Sequence, residues 1–295
     1  MQSPELVTVG PKELGFQGLD NWGLGARSWP AGSGRPVLLV HGLAANARLW
    51  DEVAGHLSAA GHPVLAVDLR GHGSSAAVPD TDTDDPDAPA KDPTHTAASD
   101  LAAVCDEQGW AAPVVAGHAW GGNVALQLAA DRPALVHGLA LVDGGWLHLG
   151  DQWPNLDDAW GVLAPPQFDG ITAELLWSSL RAGHPGWSDD AVSAVLGNLQ
   201  ERDDGTVTPW LERDRHRGIL GSMLRHKPRA LYALVRCPVL LLAAVGPSTP
   251  PRKREQLAKA VAALRNAEVV EFPGGDHDLH AQQPERVAEL IAGLT

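Results

Sequence analysis

The ten residues Val114-Val115-Ala116-Gly117-His118-Ala119-Trp120-Gly121-Gly122-Asn123 constrain this chain more than any other stretch. An apolar run ends in Gly117, and a helical pattern starts just past Gly121-Gly122. That reads as strand, sharp turn, helix. Gly117 and Gly121 flank one residue in the form Gly-x-tip-x-Gly. On such a turn the backbone at the tip is strained and its side chain is pushed into the open. The tip is Ala119, whose methyl group cannot attack anything.

The rest of the chain repeats the strand–helix alternation. Val37–Val40, Val64–Val67, Leu139–Val142 and Val239–Ala243 are unbroken apolar runs, the pattern of strands buried on both faces of a parallel sheet. Helical spacing follows most of them: Trp50, Val53, Ala54 and Leu57; about Thr96–Gln108 with Thr96 as N-cap; the helix after Ala119 to about Ala130; 251–264; and a last helix from Pro284. Glu268–Phe272 is the closing strand. Two weaker candidates, Leu6–Val9 and Leu24–Trp29, suit an antiparallel edge hairpin. Alternating strands and helices predict an α/β fold with a mostly parallel, doubly wound sheet of about eight strands.

Two segments break the alternation. Residues 76–93 hold four prolines and six aspartates without periodicity, and predict a mobile acidic surface loop. Its prolines argue against a compact metal cage. From Trp146 to about Val235 strand runs vanish and helical patterns appear at 171–181, 189–199 and 209–224. Six of the eleven tryptophans (Trp146, Trp153, Trp160, Trp177, Trp187, Trp210) lie there. The predicted organisation is a core of residues 1–145 and 236–295 with a helical cap, 146–235, inserted over the strand ends.

A formal charge of −14 argues against nucleic acid or an anionic membrane surface as partner. Cys105 and Cys237 are expected to be core thiols rather than a disulfide framework. Met1–Glu5 has neither a basic nor an apolar leader segment, and the apolar runs are strand-sized, so a cytoplasmic location without a membrane anchor is expected.

In order and spacing, His41-Gly42, Asp68-x-Arg70-Gly71-His72-Gly73-x-Ser75, the turn at Ala119, and His277 seven residues before Pro284 resemble the α/β-hydrolase family. The resemblance covers nearly all of the chain outside the cap. It implies acyl transfer: an elbow serine attacks a carbonyl, a histidine takes its proton, and a carboxylate orients the histidine. Ala119 stands at the nucleophile position. Three readings are open: a Ser-to-Ala form that traps substrate, a native alanine on a binding or nucleophile-free scaffold, or an aspartate parent of the epoxide hydrolase and dehalogenase kind. An otherwise intact apparatus favours the first.

The resemblance assigns His277, in the loop Gly274-Gly275-Asp276-His277, as the base. The loop Ala244-Val245-Gly246-Pro247-Ser248-Thr249, where many members carry the acid, has no carboxylate. The resemblance allows the acid one strand earlier, where Asp143 stands at a strand's carboxyl end, and Asp143 is the expected acid. Asp276 and Asp278 adjoin His277, but loop neighbours usually point apart. The main-chain N–H groups of Leu43 and Trp120 are the expected oxyanion donors. Arg70 and His72 are read as loop pins. Substrate contacts are expected from His118, Trp146, Trp153, Trp177, Trp187 and His280, the last at the rim or structural. No cofactor is expected, and His277/His280 as a metal pair lacks further evident ligands. The expected substrate is a hydrophobic small-molecule ester or lactone; thioesters, amides and C–C bonds are cleaved by relatives with similar motifs.

Overall fold

A computed structural model describes residues 3–9, 23–75, 92–247 and 249–295. The elements run β1 (Glu5–Val9), β2 (Leu24–Trp29), β3 (Val37–Val40), α1 (Asp51–Ala59), β4 (Val64–Val67), α2 (Pro93–Glu107), β5 (Val114–His118), α3 (Trp120–Asp131) and β6 (Gly138–Val142). Next come α4 (Leu156–Leu163), α5 (Ala173–Gly183), α6 (Asp189–Leu196), β7 (Leu199–Glu201), β8 (Val207–Pro209), α7 (Arg213–Arg225) and α8 (Pro228–Leu231). The chain closes with β9 (Val239–Val245), α9 (Pro251–Ala263), β10 (Ala267–Pro273), α10 (Leu279–Gln282) and α11 (Pro284–Ala292).

Eight strands form one sheet in the order β1-β2-β4-β3-β5-β6-β9-β10. The pairs β1–β2 and β2–β4 are antiparallel, and all others are parallel. The apolar runs explain this. Leu38 and Val40 of β3 enter one core, with Leu101 of α2, Val124 of α3 and Leu257 of α9. Val37 and Leu39 enter the other, with Val53 of α1 and Val287 of α11. Side chains alternate across a strand, so a run that is apolar at every position must be covered on both faces. Each such fully buried side chain contributes about 1.5–3 kcal/mol of transfer free energy. Both cysteines are buried and free, as expected.

Two details differ from the sequence reading. Helix α2 starts at Pro93, not Thr96: the Asp92 carboxylate accepts from the Thr94 N–H, and Pro93 takes the first helical position. These two residues were read as the end of the acidic loop, yet Asp-Pro is itself a helix start. The remainder of that loop, 76–91, lies outside the described residues. The predicted cap also holds a short antiparallel ribbon, β7–β8. Asp204 closes its turn by accepting from the Thr206 N–H and hydroxyl, and Gly205 takes a φ of 78°. No helix among the described residues is long and apolar enough to cross a membrane.

Candidate active site

The turn at Ala119 sits at the carboxyl end of β5, mid-sheet. Close packing of β5 against α3 dictates its glycines. A Cβ on Gly117 would lie 2.2 Å from the Gly121 carbonyl oxygen, and one on Gly121 would lie 2.4 Å from that of His41. Ala119 is thereby forced to φ 49°, ψ −117°. Among the described residues only Ala44, Ala119 and Asp143 are non-glycines with positive φ. All three border one site, and such backbone costs about 1–3 kcal/mol per residue.

Asp143 follows β6 directly and is 2% exposed. Its Oδ2 accepts from His277 Nδ1–H at 2.8 Å, while its Oδ1 accepts from the Ala244 N–H at 3.0 Å. The β9 loop, which lacks a carboxylate, therefore supplies a donor to the carboxylate of the neighbouring strand. The bond through Nδ1 leaves His277 Nε2 for the open side of the ring. Partial burial works against the His277 cation. The Asp143 hydrogen bond, with the charges of Asp278 and Asp143, outweighs it, and the pKa lies above the ordinary 6.5 despite opposition from Lys253.

Lys253 is the member that sequence reading missed. From the first turn of α9 its Nζ lies 2.6 Å from Asp143 Oδ1 and 2.8 Å from Oδ2, and it donates to the Ala244 carbonyl at 2.9 Å. It gives the buried carboxylate a counter-charge. Nothing in the sequence around an exposed-looking basic helix signals that contact.

Ala119 and His277 open together onto two cavities. One, of about 360 Å³, is lined by Gly42, Leu43, His118, Trp120, Trp187 and Asp278 among others. The other, of about 220 Å³, is lined by Asn123, Asp143, Leu147 and Trp153 among others. Trp120 is the first residue of α3, where a main-chain N–H has no partner within the helix, and the helix dipole adds positive potential there. Leu43 follows Gly42, and a Cβ on Gly42 would lie 3.1 Å from the Ala119 methyl. Both expected oxyanion donors thus flank Ala119.

The expected substrate contacts divide. Trp187 and His118 line the larger cavity, and Trp153 lines the smaller. Trp146 is 1% exposed and packs in the main core, lining neither. Trp177 also lines neither; it packs beside Trp187 and donates to Ser193 Oγ at 3.1 Å. His280 is fully buried against Trp50 and His118, so it is not a rim residue. Helical spacing marks which tryptophans turn inward, but not whether inward means core or cavity. Asp276 accepts from Trp187 Nε1 at 3.1 Å and Asp278 lies 3.7 Å from His118 Nε2, whereas Asp143 is the carboxylate that bonds the His277 ring.

Two buried histidines fix the loop carrying Leu43. His41 donates through Nδ1 to the Gly42 carbonyl and accepts at Nε2 from the Leu69 N–H. His72 donates through Nδ1 to the Arg70 carbonyl and accepts at Nε2 from the Ala44 N–H. Both must stay neutral to accept. Burial first of all lowers their pKa values, to about 4 for His41 and about 3 for His72. The unfolded chain binds these protons below the ordinary 6.5, whereas the folded chain does not. Stability is therefore expected to fall as pH drops from 6.5 toward 4, by about 1.4 kcal/mol per pH unit for each such histidine once the unfolded form is charged. Urea unfolding across that window checks it: the slope of stability against pH should lessen by about one proton in His41→Asn.

The strand-end turn at Ala119, the Asp143–His277 pair beside it and the main chain of Leu43 and Trp120 make up one site. Residues 37–290 match the model of the alpha/beta hydrolase family, and the chain belongs to that family. It is 38% identical over 143 residues to the lipase LipV of Mycobacterium tuberculosis, with 48% of each chain covered. It is 28% identical over 291 residues to a serine hydrolase-like protein of Danio rerio, covering 92% of this chain and 84% of that one. The putative carbamate hydrolase RutD of Variovorax paradoxus is 39% identical over 110 residues, 37% of this chain and 38% of RutD. The matches to LipV and RutD thus span half or less of those relatives. Among solved structures, E-2-(acetamidomethylene)succinate hydrolase superposes with a TM-score of 0.70 at 23% identity, covering 92% of this chain and 94% of that one. The thioesterase domain of a curacin biosynthetic pathway does so with 0.70 at 24%, covering 98% and 99%. These two likenesses are of fold.

Proposed function

We propose that this chain carries a serine-hydrolase site for a hydrophobic carboxylic ester or lactone in which alanine occupies the nucleophile's place. Ala119 is the position of the missing hydroxyl, His277 the base, Asp143 the orienting acid, and the Leu43 and Trp120 N–H groups the oxyanion donors. The observation that carries this reading is the Asp143–His277 hydrogen bond of 2.8 Å beside a strained, non-glycine Ala119. A protein that only bound its ligand would need neither. The names of LipV and RutD, a lipase and a carbamate hydrolase, belong to the same chemistry at an acyl carbon.

A hydrophobic substrate is supported by a third cavity, of about 280 Å³, walled mainly by Pro165, Phe168, Leu176, Leu180, Trp210 and Leu211. It shares Ala44, Ala45, Val195, Asn198 and His216 with the cavity over Ala119. In this reading segment 146–235 is a cap that roofs the carbonyl and houses the apolar group. No cofactor takes part.

The test is the pair of Ala119→Ser and the parent chain, treated with a fluorophosphonate probe and a panel of aryl esters and lactones. Labelling and turnover by the serine form alone support the reading. A folded serine form that stays inert overturns it in favour of a binding or nucleophile-free site. The active form also carries a pH signature. His277 must be neutral to accept the hydroxyl proton, and its pKa is raised. The kcat/KM of Ala119→Ser is therefore expected to rise with pH through a midpoint above 6.5, the ordinary histidine value. A midpoint below that value would contradict the assigned base.

A further inference from the structure

Beside the face shared by Ala119 and His277 lies a second group of side chains to which the hydrolytic reading gives no catalytic role. His118 ends β5, Asp278 follows His277, and His280 sits in α10. One ligand atom from each lies within 4.8 Å of the other two. His118 Nε2 is 3.7 Å from Asp278 Oδ1, and the two imidazole centroids are 4.4 Å apart.

What these rings lack is as informative as where they lie. His280 is fully buried, yet neither of its ring nitrogens has a hydrogen-bond partner among the described residues. Native proteins rarely leave buried polar atoms unpartnered, and an exception calls for an explanation such as an ion. Trp50 covers His280 at 4.5 Å, so an apolar ring would pack there equally well if packing were the only task. Access exists, because His118 and Asp278 line the cavity over Ala119 and the Asp278 side chain is 32% exposed.

We propose that His118, Asp278 and His280 bind one divalent transition-metal cation of the zinc type, which enters through the cavity and ties the end of β5 to the loop carrying His277. Two imidazole nitrogens and one carboxylate suit zinc and its neighbours, whereas magnesium and calcium favour all-oxygen sets. Donors about 2.0–2.2 Å from a tetrahedral ion stand about 3.3 Å from one another. The His118 Nε2–Asp278 Oδ1 separation of 3.7 Å is already close to that value. The fourth position faces the cavity and takes water. Coordination through His118 Nε2 replaces its present 3.0 Å hydrogen bond to the His277 carbonyl, so the ion reports directly on the loop of the base. The site does not depend on any hydroxyl at position 119.

Calorimetric titration of the full chain with Zn²⁺, with Mg²⁺ as control, tests this. One Zn²⁺ per chain at micromolar affinity is expected, and no Mg²⁺. Asp278→Asn and His280→Gln should each weaken Zn²⁺ binding by about tenfold or more. His184→Ala, removing a half-buried histidine beside Asp276, should leave it unchanged. Should the buried His280→Gln fail to fold, nitrogen-15 spectra of the parent chain decide instead: the ring resonances of His118 and His280 must move on Zn²⁺ addition. Absence of Zn²⁺ binding below millimolar concentration, unchanged affinity in Asp278→Asn, or unmoved His118 and His280 rings each overturns the proposal.

Discussion

Ala119→Ser is expected to turn over activated esters about a millionfold faster than the parent chain. The size follows from what is already in place. Asp143 holds the His277 ring through Nδ1, and Leu43 and Trp120, the proposed oxyanion donors, line the cavity over Ala119. Alanine and serine differ by one oxygen, and the elbow conformation is imposed by the packing of Gly117 and Gly121 rather than by the tip side chain. The hydroxyl therefore enters a built site. Stopped-flow or steady-state rates with p-nitrophenyl esters would measure the gain, and His277→Ala in the serine background should remove nearly all of it. KM should differ little, because the groups that bind the ground state are the same in both chains.

Arg70→Met is expected to lower unfolding free energy by about 3–5 kcal/mol. Arg70 forms a two-point ion pair with Asp100 of α2, at 2.6 and 2.7 Å, with both side chains less than one-tenth exposed. Removing the guanidinium takes this two-point ion pair away from a carboxylate held in the interior. The double replacement Arg70→Met/Asp100→Leu should recover much of the loss, since an apolar pair carries no such penalty. Equilibrium urea denaturation of the four chains gives the coupling energy; additive losses would show that the ion pair is not the source. The same pair anchors the loop whose His72 accepts from the Ala44 N–H, so Arg70→Met should also slow the serine form through the Leu43 side of the site.

Much of this was legible in the sequence because the relevant rules are local or periodic. β3, β4 and the start of β5 show as apolar runs because a sheet covered on both faces has no polar position to spare. Asp143 is reached only through the family resemblance, which allows the acid one strand earlier when the β9 loop carries no carboxylate. What stayed hidden depends on contacts between distant residues. Lys253 reaches Asp143 across 110 positions of sequence, and His118 meets His280 across 162. Trp146 and Trp187 share a composition-rich segment but end in different surroundings, one in the core and one on a cavity wall. The ribbon β7–β8 escaped because three-residue strands are too short to show a period. Its Asp203-Asp204-Gly205 turn was the available signal.

The glycine contacts around Ala119 have an evolutionary corollary. They hold the elbow bent whatever stands at its tip, so the geometry of attack is inherited independently of the attacking atom. Alanine and serine codons of the GCN and TCN sets differ in their first base alone. A single transversion in the gene would thus exchange alanine and serine at position 119, with no change needed in the glycines that hold the turn.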